Sequence, residues 1–408
     1  KILTIKSALL PEINNSPFLH ISLNSETFIS DNESKVKDSS SGIVNRLSRI
    51  VGSFNTFLLL CYRMASSGQK YHLRSQRTQE GLAVARIMDP RLVILSRGPQ
   101  LYSTKRIADE AEKAGWAVKI LDPLKIGPPP FGDNKKSELQ HKGWAIDCEA
   151  IIPRIGYSIT EKGTDRVRDF ERMGVIVMNS SDGIKRSRDK LIAGQALAEG
   201  GIPVPITAQI VTWEDTNRAI TRVGGTPCVV KSTEGTHGSG VFLAHTEQHA
   251  RQLVYQMLER GMRPLVQEYI EESHGKDIRA LVVGGKVVAC MRRRANGNEF
   301  RSNFHLGGSV EKIEIDPKFE KIAVKAAEIL GLEIAGVDLL ESKRGALVLE
   351  VNSSPGLEGI ERASENNVAG AIAERLNDLL RISNQKKDLT SIDNQGHNSF
   401  RNSGKSES

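Results

Sequence analysis

The sequence is poor in the features that usually announce a function. It has four cysteines in 408 residues. Cys61, Cys148, Cys228 and Cys290 lie far apart, with no C-x-x-C pair. That spacing builds neither a zinc site nor a disulfide framework, and free thiols in a reducing cytoplasm are the expectation. The apolar run within residues 50–62, ending F-L-L-L-C-Y, is shorter than the roughly 20 residues that cross a bilayer. A long polar and acidic segment precedes it, which is not a signal-peptide layout. No Ser-His-Asp or Cys-His constellation is recognisable. Charge is nearly balanced, 56 basic residues against 49 acidic, too weak an excess to name a nucleic acid or any other acidic partner. What is present describes an ordinary soluble globular protein, 39% hydrophobic and 26% charged. Its length calls for two or three packed units.

Residues 1–90 differ in texture from the rest. Asn, Ser and charged residues dominate 12–48 without helical or strand periodicity, so this extension is expected to be disordered or not native. Met64 and Met88 are candidate starts, and a targeting presequence is the competing reading. From Arg91, strand and helix patterns alternate: strands at 91–95, 117–121, 149–153 and 175–178, helices at 104–114 and 164–173. This spacing argues for a parallel sheet with helices on its faces, an α/β domain over 91–186. Ligands of such sheets lie beyond the carboxyl ends of the strands. Ser96-Arg97 and Arg154-Ile155-Gly156 are therefore either substrate contacts or plain loop residues. The remainder, 187–382, reads as α+β in two subdomains, about 187–268 and 269–382. The polar tail 383–408 is expected to be disordered.

Three stretches carry candidate chemistry. In D-L-L-E-S-K-R-G-A-L-V-L-E-V-N, two strands meet at a Lys343-Arg344-Gly345 turn. Glu350 and Asn352, two apart on one strand, leave the same face, and Asp338 on the partner strand can meet them. Two carboxylates and an amide oxygen suit magnesium; a polar hairpin facing solvent is the alternative. In V-V-K-S-T-E-G-T-H-G-S-G-V, a strand delivers Lys231 into a turn containing Gly235, Gly238 and Gly240. No helix opens after the glycines, so the turn is neither a Walker loop nor a Rossmann turn. It is either a phosphate cover or a surface turn. Finally, Arg292, Arg293, Arg294 and Arg301 cluster near Ser302, Asn303 and His305. Such a run is a solvated face, a nucleic-acid patch or a site for phosphate and carboxylate groups.

In order, D-K-L near 190, the Lys231 turn, V-Q-E-Y-I, K-D-I-R, F-R-S-N-F-H-L-G-G, A-G-V-D and L-E-V-N-S-S-P-G-L-E-G-I-E together resemble an ATP-grasp ligase. They most resemble the RimK-type branch, which adds glutamate to the C-terminus of a ribosomal small-subunit protein. The resemblance spans about 91–382. It implies an ATP-grasp fold behind a Rossmann-like pre-ATP-grasp domain, with ATP held between two α+β subdomains. Lys190 and Lys231 would then meet phosphate oxygens under the cover at Gly235, Gly238 and Gly240. Glu268 and Tyr269 would hold adenine and Asp277 the ribose, while Arg301, Ser302 and Asn303 contact nucleotide and reacting groups. Asp338, Glu350 and Asn352 would bind two magnesium or manganese ions. Arg293 and Arg301 would stabilise developing charge as catalytic residues. Substrates would be ATP, L-glutamate and a ribosomal protein C-terminus, in a cytoplasmic homo-oligomer, a tetramer in the family, without membrane or direct nucleic-acid contact. A relative acting on a small molecule or carrier protein, and a non-catalytic nucleotide- or RNA-binding regulator, are the alternatives.

Overall fold

The computed structural model of the chain describes residues 73–77, 83–87, 91–128, 139–233, 240–297, 299–301 and 308–402. β1 (Leu73–Arg77) and β2 (Ala83–Ile87) form an antiparallel pair inside the extension that its composition left without structure. The polar average there hides the apolar run A-V-A-R-I.

From Leu92 the chain builds a parallel sheet. Its elements are β3 (Leu92–Leu95), α1 (Tyr102–Lys113), β4 (Val118–Leu121), a small antiparallel sheet of β5 (Ile126–Gly127), β6 (Gln140–His141) and β7 (Trp144–Ala145), then β8 (Ala150–Pro153), α2 (Thr160–Arg172) and β9 (Ile176–Val177). The order β4-β3-β8-β9 is parallel throughout. Every residue of β3 and β8 is buried, the reason L-V-I-L and A-I-I-P read as continuous apolar runs rather than alternating ones.

Two helices follow, α3 (Ser181–Arg188) and α4 (Lys190–Glu199), where the sequence suggests one over 187–200. Asp189 makes the break. Its backbone is extended, and its carboxylate accepts from Leu191 N at 2.9 Å and Ile192 N at 3.1 Å. An Asp that caps a new helix competes with continuation of the old one. The break puts Lys190 in the first turn of α4.

The next elements are β10 (Thr207–Gln209), α5 (Asp215–Arg222), β11 (Cys228–Ser232), β12 (Val241–Ala244), α6 (Glu247–Glu259) and β13 (Pro264–Glu268). Their sheet, β10-β13-β11-β12, is antiparallel. Val230 and Val266 face the α5–α6 layer with Ile220, Val254 and Met257. Then come β14 (Lys276–Val283), β15 (Lys286–Arg294), β16 (Ser309–Lys312), α7 (Pro317–Ile329), β17 (Ile334–Ser342), β18 (Gly345–Asn352), α8 (Glu358–Ser364) and α9 (Val368–Asn402). The five-stranded sheet β16-β15-β14-β17-β18 is antiparallel. Its face with Ala280, Val337 and Val351 packs on Ala323 and Ala326 of α7 and on Leu330 just after it. Leu281, Met291 and Ile334, on the opposite face, share a core with α8, α9 and Leu92, Ile94 and Ile107 of the parallel-sheet layer. Helix α9 continues through Asn402, past the end at Ile382 that its polarity suggested. No Gly or Pro interrupts 371–395, so nothing local stops the helix.

Asn179 staples these layers. It is 1% exposed with φ of 79°, a left-handed conformation that Asn tolerates better than most residues. Its amide donates to Ile334 O and Ser353 O, both at 2.7 Å, and accepts from Ile334 N at 2.8 Å. Asn179→Ala orphans three buried backbone groups and is expected to cost about 3 kcal/mol, measured by denaturant unfolding of the full chain.

Candidate active site

Strand periodicity collects charge on one face of the five-stranded sheet. Asp277 and Arg279 are two apart on β14, so both leave one face. The register sets Asp277 opposite Arg293 and Arg279 opposite Asp338. Asp338 in turn lies opposite Glu350, and Gly336 opposite Asn352. Glu350 reaches this face through an irregularity: the register slips between Asp338 and Leu339, leaving Leu349 unpaired. Val348 and Val351, three apart, thus both pack on α7. Without the extra residue, Glu350 would share Val348's face and enter the apolar layer. A bulge beside a functional site re-aims a side chain in this way.

The charges sort into a locked group and an open one. Arg279 grips Asp338 with Nε on Oδ1 and Nη2 on Oδ2, both at 2.7 Å. Arg293 Nη2 reaches the same Oδ2 at 2.8 Å. Arg293 also forks onto Asp277, with Nε to Oδ1 at 2.7 Å and Nη2 to Oδ2. Asp277, Arg293 and Asp338 are each at most 5% exposed. Burial alone would raise the Asp338 carboxyl, but Arg279 and Arg293 more than reverse this and hold it below the usual range. Likewise, burial would lower Arg293, and Asp338 with Asp277 raises it instead. Glu350 differs. Half-buried, it has no hydrogen bond or ion pair among the described residues, although it lies within electrostatic reach of Lys231 and Arg188.

Lys231 approaches from the other sheet. Val230 points into the α5–α6 core, so Lys231 leaves the opposite face of β11. It is 6% exposed. Its ammonium donates to Gln267 Oε1 at 3.0 Å, and Gln267 Nε2 donates to Thr207 at 2.7 Å. Burial, and then the neighbouring Lys190, push Lys231 down to about 8. Two cations held this close in a desolvated place favour an anionic occupant. Lys190, Lys231, Gln267, Thr207 and Glu350 line a cavity of about 390 Å³, within the range of small-molecule sites.

The metal-ion set fits hard-cation chemistry. Arg279 and Arg293 take three of the roughly four acceptor positions on Asp338, which leaves one. Glu350 is open, and Asn352 follows on the same face with an amide oxygen. Among the described residues no three His, Cys, Asp or Glu side chains gather to hold a metal; the set here is two acids and an amide.

Several sequence expectations meet a different arrangement. Arg293 has its guanidinium committed to Asp277 and Asp338. Asp277, expected at the ribose, spends both carboxylate oxygens on Arg293. Arg301 pairs with Glu299, through Nε at 3.0 Å and Nη2 at 2.8 Å. Glu268 accepts from Ile206 N at 2.7 Å and pairs with Arg344 of the β17–β18 turn, bridging the two antiparallel sheets. Tyr269 bonds His274. Ser96 is a buried loop staple on Thr104 and Gly98 N. Gly240 turns the chain into β12 with φ of +77°. Gly235, Gly238, Ser302 and Asn303 lie outside the described residues. Sequence reasoning missed Arg279, Gln267 and Arg188 as site residues. Arg279 was findable, since it shares Asp277's strand face; Arg188 owes its place to tertiary packing alone.

Two antiparallel sheets meet across this cavity, Lys231 on one and Glu350 on the other, with Lys190 at the start of α4, an ATP-grasp architecture. Solved structures share it. The chain aligns with the ATP-grasp ligase PsnB complexed with minimal precursor at a TM-score of 0.56 and 19% identity, over 71% of this chain and 99% of that one. It aligns with a RimK domain protein ATP-grasp from Sphaerobacter thermophilus at 0.55 and 21%, over 70% and 98%. Residues 187–376 match the RimK-like ATP-grasp domain and 91–184 the RimK PreATP-grasp domain. A probable alpha-L-glutamate ligase of Aeromonas salmonicida is 48% identical over 287 residues, 70% of this chain and 96% of the relative. One from Legionella pneumophila is 47% identical over 284, 70% and 94%. The chain therefore belongs to the RimK family of ATP-grasp ligases and is an enzyme that uses ATP. No helix among the described residues is long and apolar enough to cross a membrane.

Proposed function

We propose that the chain is an ATP-dependent glutamate ligase that extends a protein C-terminus, with a ribosomal small-subunit protein as acceptor. The observation that carries the ATP-dependent part of this reading is the open Glu350 carboxylate within reach of the buried Lys231 and its neighbour Lys190. Such a site holds a polyphosphate against a hard cation. The relatives' name, alpha-L-glutamate ligase, supports glutamate as the amine donor.

A carboxylate oxygen is a poor leaving group. Moving the γ-phosphoryl onto it gives an acyl phosphate, which the glutamate amine attacks, forming the amide and releasing phosphate. Phosphoryl transfer of this kind needs positioning and charge neutralisation, not a protein nucleophile. Asp338, Glu350 and Asn352 would hold magnesium, or manganese in its place, which when bound neutralises phosphate charge. Lys231 and Lys190 orient phosphate oxygens. Asp277, Arg279 and Arg293 fix Asp338. Glu268 and Tyr269 would hold adenine, and Arg301 would contact the nucleotide and the reacting groups. A regulator without catalysis is set aside by family membership. An acceptor that is a small molecule or carrier protein gives the same ADP release without a lengthened ribosomal protein. The test is mass spectrometry of purified small-subunit proteins incubated with enzyme, ATP, magnesium and L-glutamate. One protein should gain whole glutamate residues at its C-terminus; ADP release with no modified protein overturns this acceptor. The reducing cytoplasm we propose suits Cys148, Cys228 and Cys290, which are free, with burial raising Cys228 to about 11 and the other two to about 12.

The lowered Lys231 makes nucleotide binding proton-linked. Its folded value, about 8, lies below the ordinary 10.5. The charged form is therefore strained in the empty fold below pH 8, and stability rises as pH climbs between those values. A bound anion restores the charge. Nucleotide binding should take up a fraction of a proton above about pH 8, and affinity should fall as pH rises further. Calorimetric ADP titrations near pH 8.5 in two buffers of different ionisation enthalpy check the uptake, expected at about three quarters of a proton.

A further inference from the structure

A second cationic group lies near Glu350, and neither the phosphate nor the metal role uses it. Arg154 follows β8 and Arg188 ends α3. Arg154 Nη2 donates to Pro355 O at 2.8 Å, and Arg188 Nη2 to Ile155 O at 2.5 Å. Neither has a carboxylate ion-pair partner among the described residues, and most of each guanidinium's donors are left over. Arg188 Nε is buried without a hydrogen-bond partner, as are the hydroxyls of Ser353 and Ser354, just before Pro355. Ser353 is 2% exposed. Buried polar atoms left unsatisfied cost stability unless something completes them. Here Arg188 Nε and two hydroxyls lack a partner beside the Arg154 guanidinium, gathered from a helix end, the loop after β18 and the carboxyl end of a parallel strand.

We propose that Arg154, Arg188, Ser353 and Ser354 form a seat for a carboxylate of the incoming amino acid, held so that its amine faces the acyl phosphate. This rests on the ligase reading above. Planar guanidinium forks match carboxylate geometry, and hydroxyls supply further donors. Burial, reinforced by Arg188, lowers Arg154 to about 10, as expected of cations awaiting an anion. Glu350 is within electrostatic reach of both Arg188 and Lys231. The arginine pair and the lysine pair therefore serve one reaction centre from different elements. An amino-acid substrate carries carboxylates that must be bound without being phosphorylated, and this seat gives one of them a place apart from the lysines.

The test is calorimetric titration of the full chain, saturated with ADP and magnesium, with L-glutamate. Arg188→Gln and Ser353→Ala are each expected to weaken glutamate about tenfold, with ADP affinity and melting temperature unchanged. Unaltered glutamate affinity overturns the proposal. So does a parallel fall in ADP affinity and melting temperature, which marks a structural role, or weakening of a C-terminal acceptor peptide instead of glutamate. If the unsubstituted enzyme holds no glutamate, the glutamate-ligase reading has failed. The same titration with other amino acids then decides the seat: a ligand held and lost in Arg188→Gln keeps it, and none held overturns it.

Discussion

Glu350→Gln should lower ATP turnover about a hundredfold to a thousandfold while leaving the fold intact. The two halves of this expectation have one cause. Glu350 is the acid of the charged row that no protein cation holds, so removing its charge breaks no ion pair among the described residues. The substitution keeps size and shape, and a half-buried neutral amide is tolerated where a half-buried carboxylate was. What is lost is the negative oxygen that the site presents to a cation. Asp338→Asn should be equally inactive but also less stable, because Arg279 and Arg293 both depend on that carboxylate. Steady-state ADP release and thermal unfolding on both variants separate the two effects. A Glu350→Gln enzyme with substantial turnover would contradict the metal assignment.

The second large effect is on stability. Arg293→Met removes the cation shared by two carboxylates, each at most 5% exposed. The gap left is not a lost surface pair. It is two buried negative charges facing each other, with Arg279 still on Asp338 and nothing on Asp277. Breaking a buried pair from one side costs about 3–5 kcal/mol. Adding Asp277→Asn removes the stranded charge and should recover part of that loss, a coupling that a double-mutant cycle reads out by denaturant unfolding. If the two substitutions add without coupling, the bridge is not what stabilises this end of the sheet.

Much of the fold was legible because it depends on local pattern. L-V-I-L and A-I-I-P announce buried parallel strands, and the alternation of strand and helix from Arg91 announces the layer around them. The hairpin carrying Asp338, Glu350 and Asn352 was legible from its turn and periodicity. Its bulge was not. Counting by twos from Val348 puts Glu350 in the core, and only the slip at Leu349 turns it outward. Asp189 shows the same limit, since its break between α3 and α4 is a contest of capping against helix continuation that a periodic reading smooths over. The partners of Arg293 and Asp277 were hidden for another reason. A basic run shows which residues carry charge, but which carboxylate each one meets depends on strand register. Arg154 and Arg188 come together from a strand end and a helix end 34 residues apart, a convergence only tertiary packing reveals.

We propose that ATP activates a carboxylate as an acyl phosphate for attack by glutamate. Oxygen transfer tests it most directly. A synthetic peptide whose C-terminal carboxylate carries 18O is incubated with enzyme, ATP, magnesium and L-glutamate, and the inorganic phosphate is analysed by mass spectrometry. The mechanism predicts that each peptide extended yields one phosphate carrying one 18O from the peptide. Extended peptide accompanied by unlabelled phosphate would contradict it.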